Sequence, residues 1–215
     1  MKPYFHDDAV TIYHGRAEEV LSQISQVSLV CTDPPYNAGK DYGVASDNLA
    51  PEDYALFMER VVCESRRLAP KQAWVAPRYQ MGLFTRLLPD AHLVVIRRGA
   101  AGPYRGGWAD QFETALTIGK PNQMVPDLWD DIRLKGEGYF FREETYGHPG
   151  YTPERLMKRF VSLLSEPGET VVDPFLGTGT TAWAAKTLSR KCIGIEVNER
   201  YCEIAAKRMA QGVLL

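Results

Sequence analysis

The feature that most constrains the fold is a glycine-rich segment, DPFLGTGTT at residues 173–181, which lies between an apolar strand and a helix. Gly177 and Gly179 allow the backbone to turn tightly and to approach a ligand. The N-terminus of the following helix offers free amides to that ligand. Glu196 lies at the end of the next predicted strand, where a carboxylate can accept both hydroxyls of a nucleoside ribose. The segment therefore predicts a nucleotide-type binding site, with an ordinary strand-to-helix turn as the alternative.

The position of this segment in the chain restricts the fold further. Gly177, Gly179 and Ala182 also match the dinucleotide-binding fingerprint, so a nicotinamide-dependent oxidoreductase is one interpretation. A dinucleotide-binding fold normally begins with this unit, but here the unit lies near the C-terminal end. Most strands of the sheet must then come from upstream sequence. The sequence therefore predicts a permuted Rossmann-like fold.

Hydrophobic periodicity alternates between strand and helix patterns along the rest of the chain. Strands are predicted at residues 10–13, 27–32, 73–76, 92–96, 112–118, 170–172 and 192–196. Helices are predicted at residues 16–24, from Pro51 to Pro70, at 80–88, from Pro153 to Pro167, at 182–188 and from Asn198 onward. This alternation predicts an α/β fold with a mostly parallel sheet and helices on both faces. Residues 126–144 have no clear period, and no element is predicted there.

Composition and charge limit the class of protein. The chain has 215 residues, of which 45% are hydrophobic and 24% charged, as is typical of a globular domain. We expect a single domain over residues 1–215. No apolar run is long enough for a membrane span, no secretory signal is recognisable, and the four cysteines form no CxxC pair. We therefore expect a cytoplasmic protein with reduced thiols. The four histidines show no ligand spacing, so no metal is expected.

A second motif, Asp33-Pro34-Pro35-Tyr36, directly follows the predicted strand at residues 27–32. Because proline cannot donate to a sheet ladder, this tetrapeptide must lie just beyond the carboxyl end of the strand. The stiff backbone fixes the Asp33 carboxylate, the Pro34 carbonyl and the Tyr36 ring in one place. Two acceptors and an aromatic face suit a planar ring that carries an exocyclic amine. For an isolated Asp-Pro pair, a turn with a partly exposed tyrosine is the alternative.

The two motifs together resemble those of the β class of DNA amino-methyltransferases, which use S-adenosylmethionine (SAM). The resemblance extends over nearly the whole chain. It includes HPGYTP at residues 148–153, which resembles the HPTQKP segment that caps the SAM pocket in that family. Gly150, Tyr151 and Thr152 replace the Thr, Gln and Lys of that segment. Arg16 stands where the family usually has an aspartate near the SAM adenine.

The resemblance implies a role for each motif. The DPPY residues Asp33, Pro34, Pro35 and Tyr36 would be catalytic. SAM would be bound by the glycine-rich segment, the acidic strand end and the HPTQKP-like segment, that is by Asp173, Pro174, Phe175, Gly177, Thr178, Gly179, Thr180, Thr181, Glu196, His148 and Pro149.

DNA contact is expected from residues 97–147, which are predicted to contain a short target-recognition insertion. The net charge of −2 provides no global positive field, so DNA would need a local patch. Arg97, Arg98, Arg105 and Trp108 form a basic and aromatic set that suits phosphate contact and base stacking. A solvated loop with a partly buried tryptophan is the alternative. The small size of the region suggests a short DNA site or a homodimer.

The expected reaction is methyl transfer from SAM to the exocyclic N6 amine of adenine in DNA. DPPY is commoner in adenine enzymes of the family, whereas cytosine-N4 enzymes more often have Ser in place of Asp33. A cytosine-N4 DNA methyltransferase is therefore one alternative. A catalytically silent subunit that binds DNA or SAM is another, favoured by Arg16 and the altered HPTQKP-like segment.

Overall fold

The computed structural model describes residues 1–40, 47–97, 104–105, 108–109, 111–130 and 152–211. The strands are β1 (Phe5–His6), β2 (Val10–His14), β3 (Leu29–Thr32), β4 (Lys71–Ala76), β5 (His92–Arg97), β6 (Tyr104–Arg105), β7 (Trp108–Ala109), β8 (Phe112–Ile118), β9 (Leu128–Trp129), β10 (Thr170–Asp173) and β11 (Lys191–Glu196). The helices are α1 (Ala17–Leu21), α2 (Pro51–Leu68), α3 (Met81–Leu87), α4 (Glu154–Leu164), α5 (Thr180–Thr187) and α6 (Glu199–Ala210).

Within the described residues, nine strands form one mixed sheet in the order β1-β2-β11-β10-β3-β4-β8-β5-β9. Five neighbouring strands, β2, β11, β10, β3 and β4, are parallel to one another, and β9 is parallel to β5. The antiparallel pairs involve β1 with β2, and β8 with both β4 and β5. The mostly parallel α/β fold that the sequence predicted is confirmed.

Alternating residues of the central strands pack against two separate layers of helices. Leu29 and Cys31 of β3 belong to a core with buried side chains of α4, α5 and α6. Val30, between them, belongs to a second core with α1, α2 and α3. A strand buried on both faces reads as a continuous apolar run, which is why β3 was recognisable in the sequence.

The chain reverses its direction of travel across the sheet between β10 and β3. From β10 the chain passes through α5 to β11 on one side, and from β3 it passes through α2 to β4 on the other. Because the two connecting helices cover opposite faces, the loops that leave β10 and β3 separate and open a crevice. Ligands of open α/β sheets bind at such a point, outside the carboxyl ends of the strands.

The largest differences between observed and predicted bounds are at two helix ends: α1 ends at Leu21 and not at residue 24, and α4 ends at Leu164 and not near Pro167. Helix α5 begins at Thr180, two residues before the predicted start, because Gly179 has φ of +90° and lets the chain turn directly into the helix. Strands β1 and β9 were not predicted, since two residues carry no detectable period. All four cysteines are free. In the described part of the chain, no helix has the length and apolarity of a membrane span.

Gly194 of β11 provides a test of how the glycine-rich segment packs on the sheet. A Cβ atom at this position would lie 2.7 Å from Cδ1 and 2.9 Å from Cγ of Leu176. We expect Gly194→Ala to lower the free energy of unfolding by about 1–3 kcal/mol, because a buried leucine and the strand must move apart. Gly82→Ala is the control, since Gly82 lies in α3 with open space around it. The free energy of unfolding of Gly82→Ala should be up to about 1 kcal/mol higher than that of the wild type. The midpoints of urea unfolding measure the stability of both variants. Equal midpoints in Gly194→Ala and Gly82→Ala would refute the close packing of Leu176 on Gly194.

Candidate functional site

The carboxyl ends of β3 and β10 are joined by a buried hydrogen bond. Thr32, the last residue of β3, donates its hydroxyl to Oδ1 of Asp173, the last residue of β10, at 2.6 Å. Both side chains are buried. The bond places the DPPY tetrapeptide, which follows Thr32, beside the glycine-rich segment, which begins at Asp173. The two motifs are separated by most of the chain and meet at the crevice between β10 and β3.

Asp173 is a buried carboxyl group surrounded by hydrogen-bond donors. Besides Thr32, it accepts the backbone N–H of Phe175 at 3.0 Å and a hydrogen bond from the Thr181 hydroxyl. Burial raises the pKa of Asp173 to about 6, because desolvation disfavours the charged form more than these hydrogen bonds favour it. The donors fix the start of the glycine-rich segment relative to both β3 and α5.

The glycine-rich segment turns through two left-handed residues. Gly177 has φ of +55° and Gly179 has φ of +90°, conformations that are strained for a residue with a Cβ atom. A Cβ atom at Gly179 would also lie 3.1 Å from Cβ of Ala205 in α6. The segment therefore lies close against α6, and α5 begins immediately after it.

Glu196, at the end of β11, binds the backbone of the glycine-rich segment and of the loop that follows β11. Its Oε2 atom accepts the N–H of Gly177 at 2.8 Å, and its Oε1 atom accepts the N–H of Asn198 at 2.8 Å. Burial raises the pKa of Glu196, and these backbone donors oppose that rise. Each carboxylate oxygen has a second lone pair, so Glu196 can still accept hydroxyl groups of a ligand.

The DPPY tetrapeptide is held by side chains from two helical segments. The Tyr54 hydroxyl of α2 donates to the Pro35 carbonyl at 2.9 Å, and Nε2 of Gln80 donates to the Tyr36 carbonyl at 3.0 Å. Pro34 is buried, while the side chains of Asp33, Pro35 and Tyr36 are partly exposed. The backbone of the tetrapeptide is thus fixed by Tyr54 and Gln80, and three of its four side chains remain partly exposed.

The Asp33 carboxylate accepts a hydroxyl on each oxygen. Tyr36 donates its hydroxyl to Oδ1, and Thr152 donates its hydroxyl to Oδ2. Desolvation raises the pKa of Asp33, whereas the two hydroxyl donors and the nearby Lys40 lower it. The sequence showed Thr152 only as a departure from the HPTQKP pattern and predicted no role for it. Its contact with Asp33 is a finding of the structure.

Asp47 organises the loop that follows DPPY. Its carboxylate accepts the backbone N–H groups of Asn37, Ala38 and Lys40 at 2.7, 3.0 and 3.1 Å. Nζ of Lys40 then lies 5.7 Å from the centroid of the Tyr36 ring. A positive charge is thereby placed close to the aromatic face that the sequence assigned to the site. Sequence reasoning missed Asp47, because a single polar residue in a loop gives no pattern.

Arg208 of α6 connects the glycine-rich segment to the start of α4. Its buried guanidinium donates to the Thr178 carbonyl at 2.6 Å and to Oε1 of Glu154 at 2.9 Å. Sequence reasoning missed this residue as well. The available signal was its place on the otherwise apolar face of α6, at helical spacing from Tyr201 and Ala205.

The residues predicted to contact DNA are only partly described. Arg97 is exposed at the end of β5, which runs parallel to β4 because both strands are antiparallel to β8. Arg97 therefore lies at the same edge of the sheet as Asp33. Arg105 and Trp108 are paired in the backbone register of β6 and β7. Arg98, His148 and Pro149 lie outside the described residues.

Arg16, where the related family usually has an aspartate, points to solvent. Its Nε atom forms an ion pair with Oε1 of Glu18 at 2.8 Å, and 59% of its side chain is exposed. Arg16 precedes α1 without capping it. Among the described residues, no group of three His, Cys, Asp or Glu side chains is arranged to hold a metal ion.

A family model and a curated relative both relate this chain to DNA methyltransferases. A family model described as "DNA methylase" matches residues 119–207. The Type II methyltransferase M.HinfI of Haemophilus influenzae is 42% identical to this chain over 98% of this chain and 71% of its own length. These matches favour the methyltransferase interpretation of the glycine-rich segment over the oxidoreductase one.

Two solved structures share the fold. The cytosine-N4-specific PvuII DNA methyltransferase superposes with a TM-score of 0.75 at 21% identity, over 96% of this chain and 88% of its own. The SAM complex of M1.HpyAVI superposes with a TM-score of 0.69 at 23% identity, over 93% of this chain and 98% of its own. The fold shared with these two structures therefore includes nearly the whole of this chain.

Removal of the Arg208 guanidinium should loosen the glycine-rich segment. Arg208→Met keeps an unbranched side chain on α6, but it leaves the Thr178 carbonyl without this donor. We expect a loss of about 1–3 kcal/mol in the free energy of unfolding, as for buried hydrogen bonds to a charged group. We also expect faster amide hydrogen exchange at residues 176–181. Lys207→Met, which removes the exposed pair with Glu203 on the same helix, is the control. Unchanged exchange in Arg208→Met would contradict the assigned role.

Proposed function

This chain belongs to the DNA methylase family of SAM-dependent enzymes, and we propose that it transfers a methyl group from SAM to the exocyclic N6 amine of adenine at a specific site in DNA. The observation that carries the proposal is the Thr32–Asp173 hydrogen bond. It brings the Asp33 carboxylate and the glycine-rich segment to one crevice, so a base held by the first can meet a methyl donor held by the second.

The residues at the crevice fit SAM by the chemistry of their donors and acceptors. Glu196 is buried at a strand end and keeps lone pairs for ribose hydroxyls. The buried carboxyl group of Asp173 and the close, side-chain-free backbone at Gly177 and Gly179 suit the amino-acid end of the cofactor. Pro174, Phe175, Thr178, Thr180 and Thr181 complete the proposed SAM site, with His148 and Pro149 added from the HPTQKP-like segment.

The chain's own residues position the nucleophile in the proposed mechanism. When bound, SAM supplies an electrophilic methyl group on a sulfonium sulfur. An exocyclic amine is a weak nucleophile because its lone pair is delocalised into the ring. Asp33 and the Pro34 carbonyl accept the two N–H groups of the amine, which favours a tetrahedral nitrogen and stabilises its developing positive charge. Pro35 stiffens the loop, and the Tyr36 ring stacks on the base. Catalysis is then mainly alignment of the amine with the methyl carbon. As the nitrogen–carbon bond formed, the carbon–sulfur bond would break, the sulfur would leave as a neutral thioether, and the methylated amine would lose one proton to solvent.

A base inside a DNA duplex must rotate out of the stack to reach this crevice, at a cost of a few kcal/mol. Stacking on Tyr36 offsets part of that cost. Arg97, Arg98 and Arg105 are proposed to contact phosphates and Trp108 to contact a base, within a recognition region at residues 97–147 of a single domain. The position of Arg97 at the sheet edge that holds Asp33 supports this assignment.

The choice of adenine rests on Asp33. In the related family the cytosine-N4 enzymes more often have Ser at this position, and this chain has Asp. Cytosine N4 remains the second candidate, since the PvuII enzyme has the same fold. Both bases carry an exocyclic amine, so the proposed mechanism is the same for either.

Loss of the Asp33 carboxylate should abolish most of the activity. Purified protein is incubated with unmethylated bacterial DNA and methyl-labelled SAM, and the DNA is digested to nucleosides. We expect label in N6-methyladenine, and a fall of about 10²–10³-fold in Asp33→Ala, since one preorganised acceptor of developing charge is removed. Asp90→Ala is the matched control, because Asp90 precedes β5 at the opposite edge of the sheet.

Each other outcome has a defined meaning. Label in N4-methylcytosine would reverse the base assignment and keep the mechanism. SAM binding without label in any base would favour the silent subunit. Full activity in Asp33→Ala would refute the catalytic assignment of DPPY.

Glu196→Gln should weaken SAM binding without changing the fold. The amide has one acceptor oxygen and cannot hold Gly177, Asn198 and a ribose hydroxyl as the carboxylate does. We expect the dissociation constant for SAM, measured by calorimetry, to rise about 10-fold or more, as for a lost hydrogen bond to a charged group. Glu199→Gln, which changes an exposed acid three residues later in α6, is the control. Equal affinities in the two variants would remove Glu196 from the proposed SAM site.

A further inference from the structure

Each oxygen of the Asp33 carboxylate accepts one hydroxyl before any substrate is considered. Tyr36 donates to Oδ1 and Thr152 donates to Oδ2. Under the proposed mechanism an N–H of the target amine must also bind this carboxylate. The two hydroxyl groups therefore differ in what happens to them when the base arrives.

Tyr36 is the donor that can leave. It lies in the same tetrapeptide as Asp33, it is partly exposed, and its ring is the proposed stacking surface for the base. Under the proposed mechanism, the Tyr36 hydroxyl and the target amine both donate to Oδ1 of Asp33. The amine N–H then either takes the remaining lone pair of Oδ1 or replaces the phenol there.

Thr152 is the donor that stays. It is buried, its β-branched side chain has few rotamers, and it reaches Asp33 from the chain just before α4. The following residue, Pro153, accepts backbone N–H groups of Leu156 and Met157 at 3.1 and 3.3 Å. The first turn of α4 thus holds Thr152 against the catalytic loop.

The start of α4 is also fixed to the glycine-rich segment. Glu154 binds Arg208, and Arg208 binds the Thr178 carbonyl. On the other side, the buried Met157 contacts the Cys31 thiol of β3 at 3.8 Å between sulfurs. The contacts of the first turn of α4 therefore place Thr152 relative to both loops that form the crevice.

We propose that Thr152 is a positioning residue for methyl transfer, whose hydroxyl holds Oδ2 of Asp33 so that Oδ1 faces the target amine. The inference rests on the proposed function. It concerns a residue at which this chain departs from the HPTQKP pattern, where the family has Lys. In place of a cation, the chain supplies a neutral donor that orients the carboxylate and leaves its charge available to the amine.

The charged and titratable groups around Asp33 determine how loss of the Thr152 hydroxyl would change the pKa of Asp33. Desolvation raises the pKa of Asp33, and the donors Thr152 and Tyr36 and the cation Lys40 lower it. The Cys31 thiol and Asp173 lie at the neighbouring strands. Burial raises the pKa of each, and the negative charge of Asp33 raises it further. Removal of the Thr152 hydroxyl removes one lowering contribution. The pKa of Asp33 then rises, and a higher pH is needed to keep the carboxylate ionised.

The test compares Thr152→Val, which keeps the shape and loses the hydroxyl, with Thr152→Ser, which keeps the hydroxyl. We expect Thr152→Val to lower kcat about tenfold, the effect of losing one hydrogen bond to a charged group, with KM for SAM unchanged. The low-pH limb of kcat should move to higher pH. Thr152→Ser should restore both kcat and the pH limb. Thr85→Val, which removes an exposed hydroxyl of α3, should match the wild type.

The outcomes separate this inference from the proposed function. If the wild type methylates no base, the proposed function fails. If Asp33→Ala is fully active, the catalytic assignment of DPPY fails, and the role of Thr152 fails with it. If the wild type is active and Thr152→Val has the wild-type kcat and pH profile, the positioning role alone is overturned. A loss of stability and kcat in both Thr152 variants, with no movement of the pH limb, would also overturn it by showing a merely structural role.

Discussion

The hydrogen bond between Thr32 and Asp173 joins the two strands from which the chain diverges across the sheet. A carboxyl group buried at this junction requires donors, and it obtains them from β3, from the glycine-rich segment and from α5. These donors fix the spacing of the loops on either side of the crevice. The DPPY tetrapeptide and the glycine-rich segment have their relative positions because this one polar contact is satisfied.

The sequence predicted the elements whose shape depends on local chemistry. Pro34 and Pro35 end β3 where ladder donors are required, so the tetrapeptide had to follow the strand. The strand, glycine turn and helix at residues 170–187 were recognisable because apolar residues, Gly and helix formers follow one another. Burial of β3 on both faces was visible as an unbroken apolar run. In the structure, both motifs lie at one edge of the sheet because β3 and β10 are parallel neighbours.

Contacts between distant single residues could not be predicted in this way. Nothing around Thr152 indicates that its hydroxyl reaches Asp33, and nothing around Gln80 indicates that its amide reaches the Tyr36 carbonyl. Each is one polar residue near a helix start, a place where such residues are common. Arg208 is an intermediate case, because an arginine on the apolar face of a helix requires a buried acceptor. The helical spacing reveals that requirement, but only the fold identifies Thr178 and Glu154 as the partners.

The position of the cofactor motif late in the chain explains why these long-range contacts matter. In the proposed mechanism, the segments that would hold the donor and the acceptor of the methyl group come from distant parts of the sequence, so no short loop fixes their distance. Arg208 and Glu154 connect the Thr178 carbonyl to the start of α4, and Thr152 continues the connection to Asp33. Since an error of about 1 Å in alignment can cost about 100-fold in rate, we infer that this series of contacts gives the permuted fold the precision that methyl transfer requires.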